Sequence, residues 1–327
     1  MTMKSPFEPV RRTVIVIGIA SVLFVSCSGS SKGQPVCATW PPAIDVPSSL
    51  SSGDHSVLVF GRNQENGTET WRWSGSCWKQ ETVGANPAVF DPALVNEPNG
   101  NGVVMLGGWD NEAVDAFVAR YESWRLSGGN WVEIATPEVP KLAGLAAVTT
   151  GGQTLLVGSG GASIEETWSL GKSGWQRLQP LHSPPARFNP SVAIDPVSHQ
   201  AMLFGGWNFP KQVLSDTRRW DGHDWTLVDS ALNISGHPVN GILVADRKSL
   251  YVLAYLGTAE EVRIWQWRSD HWTEVKSTGS PPRVQDFGVG FDGSKILLFG
   301  GIDAYEHVGN PSTAIWTWDG TRWAQIH

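Results

Sequence analysis

The sequence predicts an all-β protein, a six-bladed β-propeller with four antiparallel strands in each blade. One tryptophan recurs six times, at positions 78, 131, 175, 225, 272 and 323, with a mean spacing of 49 residues. A short hydrophobic run that ends in glycine precedes most copies, and a second hydrophobic run precedes that one. Repeats of about fifty residues built from short strand patterns are typical of propeller blades rather than helical arrays. We therefore expect residues 47–327 to form six consecutive blades.

The recurring tryptophan belongs to a predicted outer hairpin. The last copy runs from Trp316 through Trp318 and four turn residues to Trp323. The other copies lie at 71–78, 124–131, 168–175, 218–225 and 265–272, and only Arg218 replaces the first tryptophan. A turn of this length places Trp318 and Trp323 opposite each other, where aromatic cross-strand pairs stabilise a sheet. Since a tryptophan buries on the order of 150–250 Å², we expect the 18 tryptophans to form much of the core.

The hydrophobic runs before each hairpin predict the two inner strands of a blade. Runs that end in glycine lie at 57–61, 103–108, 155–158, 202–206 and 296–301, and the run at 250–255 lacks the glycine. An innermost strand is predicted at 190–195, with copies at 87–91 and 288–292. Short apolar runs bounded by Gly, Asp and Pro indicate buried strands. Residues 47–50 are a poor copy, so the first blade either supplies a weak inner strand or fills that place irregularly.

These landmarks resemble a known repeat. Phe299-Gly300-Gly301, a variable loop and then Trp-x-Trp-Asp-Gly-x-x-Trp at 316–323 are similar to the Kelch repeat of bacterial secreted proteins. Residues 183–187 and 195–206 resemble that family as well. The resemblance covers 47–327 and implies a propeller like the central domain of galactose-oxidase-like enzymes. It implies little about function, because Kelch propellers carry many unrelated activities.

The first 27 residues predict an export signal. Lys4, Arg11 and Arg12 precede an apolar stretch of 13 residues at 13–25, which is too short for an ordinary transmembrane helix. Residues 23–27 resemble a bacterial lipobox, which implies that Cys27 is lipidated and anchors the protein outside the cytoplasm at the cell membrane. Plain secretion and an uncleaved anchor are the alternatives. Residues 28–46 are rich in Ser, Pro and Gly and predict a tether.

Two further cysteines predict a disulfide. Cys37 lies in the tether, and Cys77 lies in the last turn of the first blade. In an exported chain such a pair favours a disulfide bond. Closing a loop of about 40 residues contributes roughly 3–4 kcal/mol and would hold the tether against the first blade. The alternative is two free thiols.

Charge and histidine placement exclude several functions. The chain has a formal net charge of −7 at pH 7, and removal of the first 27 residues makes it about −9. An acidic chain without a basic stripe is not expected to bind nucleic acid. The eight histidines include no pair at metal-ligand spacing, and Cys77 is poorly placed for a galactose-oxidase-like copper site. We therefore predict no metal, no cofactor and no catalytic residue.

The predicted ligand site lies at the mouth of the central channel. In a Kelch-type blade, the loop after the glycine-ended strand and the loop into the next inner strand emerge on the same face, where function concentrates. Aromatic rings with a few polar groups suit a sugar ring or an extended peptide. The alternative is that the tryptophans cap blade ends and the arginines pair with neighbouring carboxylates. The candidates are Trp109, Asp110, Arg187, Trp207, Asn208, Arg283, Tyr305 and His307.

The function that these observations predict is a binding module of the cell envelope. It would recognise a protein segment or a glycan at the channel mouth and touch the membrane only through its N-terminal lipid. The alternative is a carbohydrate-active or galactose-oxidase-like enzyme on the same propeller. An enzyme needs ionisable groups that converge at the mouth, whereas a binding module needs only aromatic side chains and arginines. The placement of side chains at the mouth therefore distinguishes the two.

Overall fold

A computed structural model gives the architecture of the chain. Every regular element in the described residues is a β-strand, and none of these residues forms a helix that is long and apolar enough to cross a membrane. Cys27, Cys37, Arg283, Tyr305 and His307 lie outside the described residues. The described residues are 44–51, 54–63, 67–81, 86–98, 100, 102–110, 119–134, 139–160, 165–171, 173–208, 212–229, 232–234, 237–238, 241–255, 261–282, 284–303 and 312–326.

The strands form six four-stranded antiparallel blades, in chain order from the inner to the outer strand, which confirms the predicted fold class. Blade 1 contains β1 (Asp45–Ser51), β2 (Val57–Arg62), β3 (Thr68–Trp73) and β4 (Trp78–Gln80). Blade 2 contains a short β5 (Val89–Phe90), then β6 (Ala93–Asn96), β7 (Val103–Asp110), β8 (Ala119–Ser127) and β9 (Asn130–Glu133). Blade 3 contains β10 (Ala143–Thr150), β11 (Gln153–Ser159), β12 (Glu165–Gly171) and β13 (Gly174–Arg177).

The second half of the ring repeats this plan with short additions. Blade 4 contains β14 (Ser191–Ile194), β15 (Ala201–Phe204), the small hairpin β16 (Trp207–Asn208) and β17 (Gln212–Val213), then β18 (Thr217–Trp220) and β19 (Trp225–Asp229). A small hairpin of β20 (Asn233–Ile234) and β21 (His237–Pro238) leads to blade 5, which contains β22 (Gly241–Ala245), β23 (Leu250–Tyr255), β24 (Val262–Arg268) and β25 (His271–Glu274). Blade 6 contains β26 (Val284–Gln285), β27 (Gly288–Phe291), β28 (Ile296–Phe299), β29 (Ile302–Asp303), β30 (Ile315–Trp318) and β31 (Trp323–Gln325).

The ring closes by packing of blade 6 against blade 1. The inner strands β1, β6, β10, β14, β22 and β27 each contact the next one, and β27 contacts β1. The Ser49 hydroxyl donates to the carbonyl of Val289 at 2.7 Å, and the Ser51 hydroxyl accepts from the Phe291 N–H at 2.8 Å. Blade 1 therefore supplies its own inner strand, which was one of the two alternatives that the sequence left open.

The predicted inner strand of blade 2 at 87–91 is wrong. The inner strand is β6, whose residues Ala93–Asn96 pair with 103–106, whereas β5 precedes it and pairs with 109–110. Phe90-Asp91-Pro92 corresponds to Phe188-Asn189-Pro190, which precede β14, and not to residues within that strand. The prediction compared hydrophobic runs alone. Residues 87–91 and 93–96 are both short hydrophobic runs, and their pattern does not show which of the two forms the inner strand.

The core consists of six hydrophobic clusters, one between each pair of successive blades. Each recurring tryptophan packs in the cluster between its own blade and the preceding one. In four blades it faces a second tryptophan across the outer hairpin, with ring centroids 4.9 to 6.4 Å apart. The predicted cross-strand pairing is thus confirmed, and the tryptophans bind neighbouring blades together as well as the strands of one hairpin.

Three of these tryptophans also form a hydrogen bond across the blade boundary. In each case the indole Nε1–H donates to a threonine hydroxyl on the third strand of the preceding blade, over 2.8 to 2.9 Å. In blade 6 this place is taken by Ile315, and the Nε1 of Trp78 has no partner in the part of the chain that the structure describes. The bonded pairs are Trp131 with Thr70, Trp225 with Thr167, and Trp272 with Thr217.

Cys77 precedes Trp78 at this closing boundary and is disulfide-bonded. Its predicted partner, Cys37, lies outside the described residues, so the pairing of these two cysteines stays a prediction. A disulfide in this turn attaches a second part of the chain to the boundary between blades 6 and 1.

The inter-blade hydrogen bond predicts the effect of a threonine substitution. Thr217 is fully buried, so Thr217→Val keeps the packing but leaves the indole N–H of Trp272 without an acceptor. We expect the free energy of unfolding to fall by roughly 1–3 kcal/mol, the cost of a buried unpaired donor. Urea denaturation of the mature chain measures this change. Thr226→Val on the exposed side of β19 is the control, and equal stability of both variants would contradict the proposed contribution.

Candidate functional site

One end of the propeller carries the loops that vary most between blades. In blade 4, Ser191 pairs with Phe204, and Phe204 pairs with Thr217, so the start of the inner strand, the end of the second and the start of the third lie together. The turn between the third and fourth strands, at 221–224, lies at the opposite end. We call the first end the mouth. This arrangement confirms that the glycine-ended strands and the lead-ins to the inner strands share one face.

The even-numbered blades share a local structure at the mouth. Two residues before the regular inner strand, each has an Asp or Asn with positive φ: Asp91 at 51°, Asn189 at 49° and Asp286 at 54°. Two glycines with positive φ end the second strand of each of these blades. The corresponding residue in blade 3 is Gly144, and in blade 1 it is Val46. Asp and Asn are the non-glycine residues that best tolerate this conformation.

Asn189 and Asp286 both act on the Asp91 carboxyl group, although the three residues come from three different blades. A hydrogen bond from the Asn189 side chain lowers the pKa of Asp91, and the negative charge of Asp286 raises it. Residues that lead into the inner strands of alternate blades can approach one another only near the central axis. This group, Asp91, Asn189 and Asp286, is called the axial cluster below.

The axial cluster contains a carboxyl group with a raised pKa. Burial, followed by the negative charge of Asp286, raises the pKa of Asp91 to about 6, against an opposing effect of the Asn189 hydrogen bond. The residue is nevertheless only half-buried by its accessible surface, as expected for a group that lines a narrow channel. Asp91 can therefore hold or release a proton near neutral pH.

Aromatic residues directly precede Asp91 and Asn189 in the chain. In blade 4, Phe188 stacks on Trp207 with ring centroids 4.7 Å apart and an interplanar angle of 26°. Their backbones exchange two hydrogen bonds of 2.8 and 3.0 Å. Gly206 is required here, because a Cβ at its position would lie 2.7 Å from the carbonyl oxygen of Phe188. Blade 2 repeats the arrangement, with Phe90 paired to Trp109.

Four predicted site residues lie at the mouth of blades 2 and 4. Trp109 and Trp207 are half-buried, so part of each side chain faces solvent. Asp110 forms a 3.7 Å ion pair with Arg120. Asn208 donates weakly to Gln212 over 3.5 Å, and its Oδ1 is buried with no hydrogen-bond partner in the described chain. Their contact with a ligand stays a prediction, as does that of Arg283, Tyr305 and His307, which lie outside the described residues.

Arg187 occupies a different environment from the one predicted. Its side chain is fully buried and forms a bidentate ion pair with Asp216, with N–O distances of 2.8 and 3.1 Å. Its Nη1 also donates to the Gly205 carbonyl at 2.9 Å. Burial alone would raise the pKa of Asp216, but Arg187 and Arg218 together hold it below its ordinary value. Arg187 thus matches the alternative that the arginines pair with carboxylates, and its contact with a ligand stays a prediction.

Sequence reasoning missed Asp91 and Asn189. The signal was the repeated Phe-Asx-Pro of 90–92 and 188–190, each followed by Gly-Gly-Trp-Asx at 107–110 and 205–208. The misplaced inner strand of blade 2 concealed this match. Asp286 lies in the loop that leads into the inner strand of blade 6, but nothing in the sequence shows that it acts together with the other two.

Other concave or ionisable groupings are less suited to a ligand. Clefts of about 350 and 380 Å³ open between blades 3 and 4 and between blades 1 and 2, at the turns opposite the mouth. The two clefts lie at equivalent places in the ring. They therefore arise wherever the outer strands of successive blades diverge. No three His, Cys, Asp or Glu side chains in the described residues are placed to hold a metal ion.

Comparison with known proteins supports the fold alone. No protein-family model and no curated protein sequence matches the chain. The solved structure of YjhT is similar, with a TM-score of 0.63 and 12% identity over 89% of this chain and 100% of that one. At this identity the likeness shows a shared propeller architecture and carries no conclusion on function or on the type of repeat.

The raised pKa of Asp91 predicts a pH-dependent effect of its replacement. Asp91 binds its proton more tightly in the folded state, where its pKa is about 6, than at its ordinary pKa of 3.8. The free energy of unfolding that this contributes below pH 3.8 is therefore lost as the pH rises through 6. Asp91→Asn removes this loss, and asparagine already occupies the equivalent place in blade 4. We expect the variant to be more stable than the wild type above pH 7, by on the order of 2 kcal/mol.

Urea denaturation from about pH 4 to about pH 8 measures the difference. The advantage of Asp91→Asn should vanish towards pH 4. Asp216→Asn should instead lower the free energy of unfolding at neutral pH, because the lowered pKa of Asp216 means that its carboxylate stabilises the folded state there. A difference between Asp91→Asn and the wild type that does not change with pH would contradict the assignment.

Proposed function

We propose that the protein is an exported binding module of the cell envelope that holds a glycan at the mouth of its propeller. The observation that supports this most is the axial cluster of Asp91, Asn189 and Asp286 beside the aromatic pairs of blades 2 and 4. Carboxylate and amide groups next to half-buried aromatic rings are the combination that a polyhydroxylated ring requires.

The chemistry of the mouth suits a sugar in three ways. Asp286 accepts hydrogen bonds, and Asp91 accepts or donates according to its protonation state. The Asn189 side chain has a carbonyl oxygen that accepts and an NH2 group that donates, so the cluster can both accept hydrogen bonds from sugar hydroxyl groups and donate to them. The half-buried rings of Trp207 and Trp109 offer apolar surface to the C–H face of a pyranose. A protein segment is the other ligand class that the sequence leaves open, and it enters the test below as a contrary result.

The scaffold suits binding because it is already formed. The Asx residues lie two positions before the inner strands, and the tryptophans of blades 2 and 4 are paired to the same lead-ins by backbone hydrogen bonds. A preorganised site loses little conformational entropy when a ligand binds. This favours recognition of a small rigid ligand over folding around a long flexible one.

A second candidate function, a carbohydrate-active enzyme, is favoured by one observation. After burial, the negative charge of Asp286 helps to raise the pKa of Asp91 to about 6. A pair in which one member stays protonated while the other is ionised can supply an acid and a base. This candidate shares the ligand class of the binding module and differs only in turnover.

The location of the protein is part of the proposal. The N-terminal residues resemble a lipoprotein signal ending at Cys27, and the Ser-, Pro- and Gly-rich residues 28–46 would carry the propeller away from the membrane. A lipid anchor would place the mouth among envelope glycans.

Glycan binding is tested with the mature chain carrying Cys27→Ser, probed on an array of mono- and oligosaccharides beside an array of extended peptides. The key variants are Asn189→Gly and Asp286→Gly, which remove the side chains but keep the positive φ, as Gly144 does in blade 3. Each should weaken sugar binding about tenfold or more, the effect of losing one or two ligand hydrogen bonds. Ser269→Gly, at a positive-φ turn of the opposite end, is the matched control.

Peptide binding with no sugar binding would contradict the glycan proposal. Equal sugar binding by all three glycine variants would place the site elsewhere. NMR of the bound sugar over time separates the two candidate functions, because an enzyme changes the sugar and a binding module returns it unaltered.

The lipid anchor predicts a separate result. The wild-type chain should partition into detergent and remain in the membrane pellet, whereas Cys27→Ser should be soluble in the extracytoplasmic fraction. Cys37→Ser controls for the loss of a cysteine from the same region. Equal partitioning of the wild type and Cys27→Ser would contradict lipidation.

A further inference from the structure

The side chain of Glu165, the first residue of β12, is fully buried. The residue has 0% relative exposure, and neither carboxyl oxygen has a well-formed partner in the part of the chain that the structure describes. A carboxyl group in such a place is costly unless it is paired or neutral. The charged residue that acts most strongly on it is Arg187, in the connection from blade 3 to blade 4, through its charge and a hydrogen bond from its backbone N–H.

Arg187 connects this carboxyl group to the mouth of blade 4. It donates to the Pro185 carbonyl through Nε, to the Gly205 carbonyl through Nη1, and to both oxygens of Asp216. These bonds use four of the five N–H groups of a guanidinium. Gly205 and Gly206 directly precede Trp207, so Arg187 holds the end of the strand from which the mouth tryptophan projects.

Packing alone does not require these two charged residues. At the boundary between blades 5 and 6, their places are taken by Val262 and Val284, which lie in one hydrophobic cluster. The correspondence is supported by the backbone, because the N–H groups of Glu165 and Val262 bond to Pro184 and Pro281 in the same way. Buried charged groups are often no more stabilising than well-packed apolar residues of similar volume.

The charges around Glu165 allow it to exist in two states. Burial raises the pKa of Glu165 well above its ordinary value, Arg187 lowers it, and neighbouring Glu166 raises it further. Glu166 itself is paired with Arg177 at 3.1 Å. Beyond Arg187 lie Asp216 and Arg218, which are bonded to each other at 2.7 Å. When Glu165 is neutral, Arg187 bonds to Asp216 and Gly205 without competition from a Glu165 carboxylate.

We propose that Glu165 and Arg187 form a protonation-dependent latch between blades 3 and 4 that positions Trp207 at the mouth. When Glu165 loses its proton to solvent, its carboxylate competes with Asp216 for the guanidinium and draws Arg187 towards blade 3. The Gly205 carbonyl then loses its donor, and the pairing of Phe188 with Trp207 loosens. Arg187 is thus a positioning residue, and the latch acts with or without a ligand.

The test is amide hydrogen exchange of the full mature chain from about pH 5 to about pH 9, corrected for the intrinsic effect of pH. The amides to follow are those of Phe188 and Trp207, which bond to each other. With Glu165 and Arg187 intact, their protection should fall about tenfold as the pH rises. In Glu165→Gln, which mimics the neutral acid, protection should stay high throughout. All samples carry Asp91→Asn, so that the axial cluster does not titrate in the same range.

A second variant keeps the test valid if Glu165→Gln folds poorly. The double substitution Glu165→Val with Arg187→Val copies the boundary of blades 5 and 6 and should show protection that does not depend on pH. The latch is overturned if wild-type protection is independent of pH, or if either variant retains the wild-type dependence. Because no ligand is needed, this result is separate from that of the sugar-binding experiment.

Discussion

The packing of one tryptophan per blade against the preceding blade is the interaction on which the ring depends. Each of these side chains lies in the cluster between two blades, and three of them also bond to a threonine across the boundary. A four-stranded blade has two apolar faces and cannot bury both alone, so the stack must continue until it closes. It closes through Trp78 and Ile315, where the Trp78 indole N–H has no hydrogen-bond partner among the described residues and β1 completes blade 1.

Because the strands hold the closed ring together, the loops at one end can differ from blade to blade. Differences between blades are concentrated at the mouth, where blades 2, 4 and 6 place Asp91, Asn189 and Asp286 around the axis. The inner strands hold the backbone that leads into them, and each of these three residues has a positive φ. The charged boundary of blades 3 and 4 lies behind this surface, so that a buried proton on Glu165 can act on Trp207 without touching a ligand.

The fold could be predicted from the sequence because the recurring tryptophan marks the period directly. Trp109 and Trp207 could be placed at the mouth for the same reason, since they follow the glycine-ended strands. The axial cluster could not, because its members are about 100 residues apart in sequence and meet only when the ring closes. Arg187 has the sequence context of an exposed loop residue, and only the approach of Gly205 and Asp216 shows that it is buried.

The meeting of three blades at the axis is measured most directly by carbon NMR of the carboxyl group of Asp91 in the mature chain. Its titration should be centred near pH 6 in the wild type. Asp286→Asn should lower the midpoint, since it removes a neighbouring negative charge, and Asn189→Gly should raise it, since it removes a hydrogen bond to the ionised form. A midpoint near the ordinary value of 3.8 that neither substitution moves would contradict the convergence of these residues, and with it the proposed site.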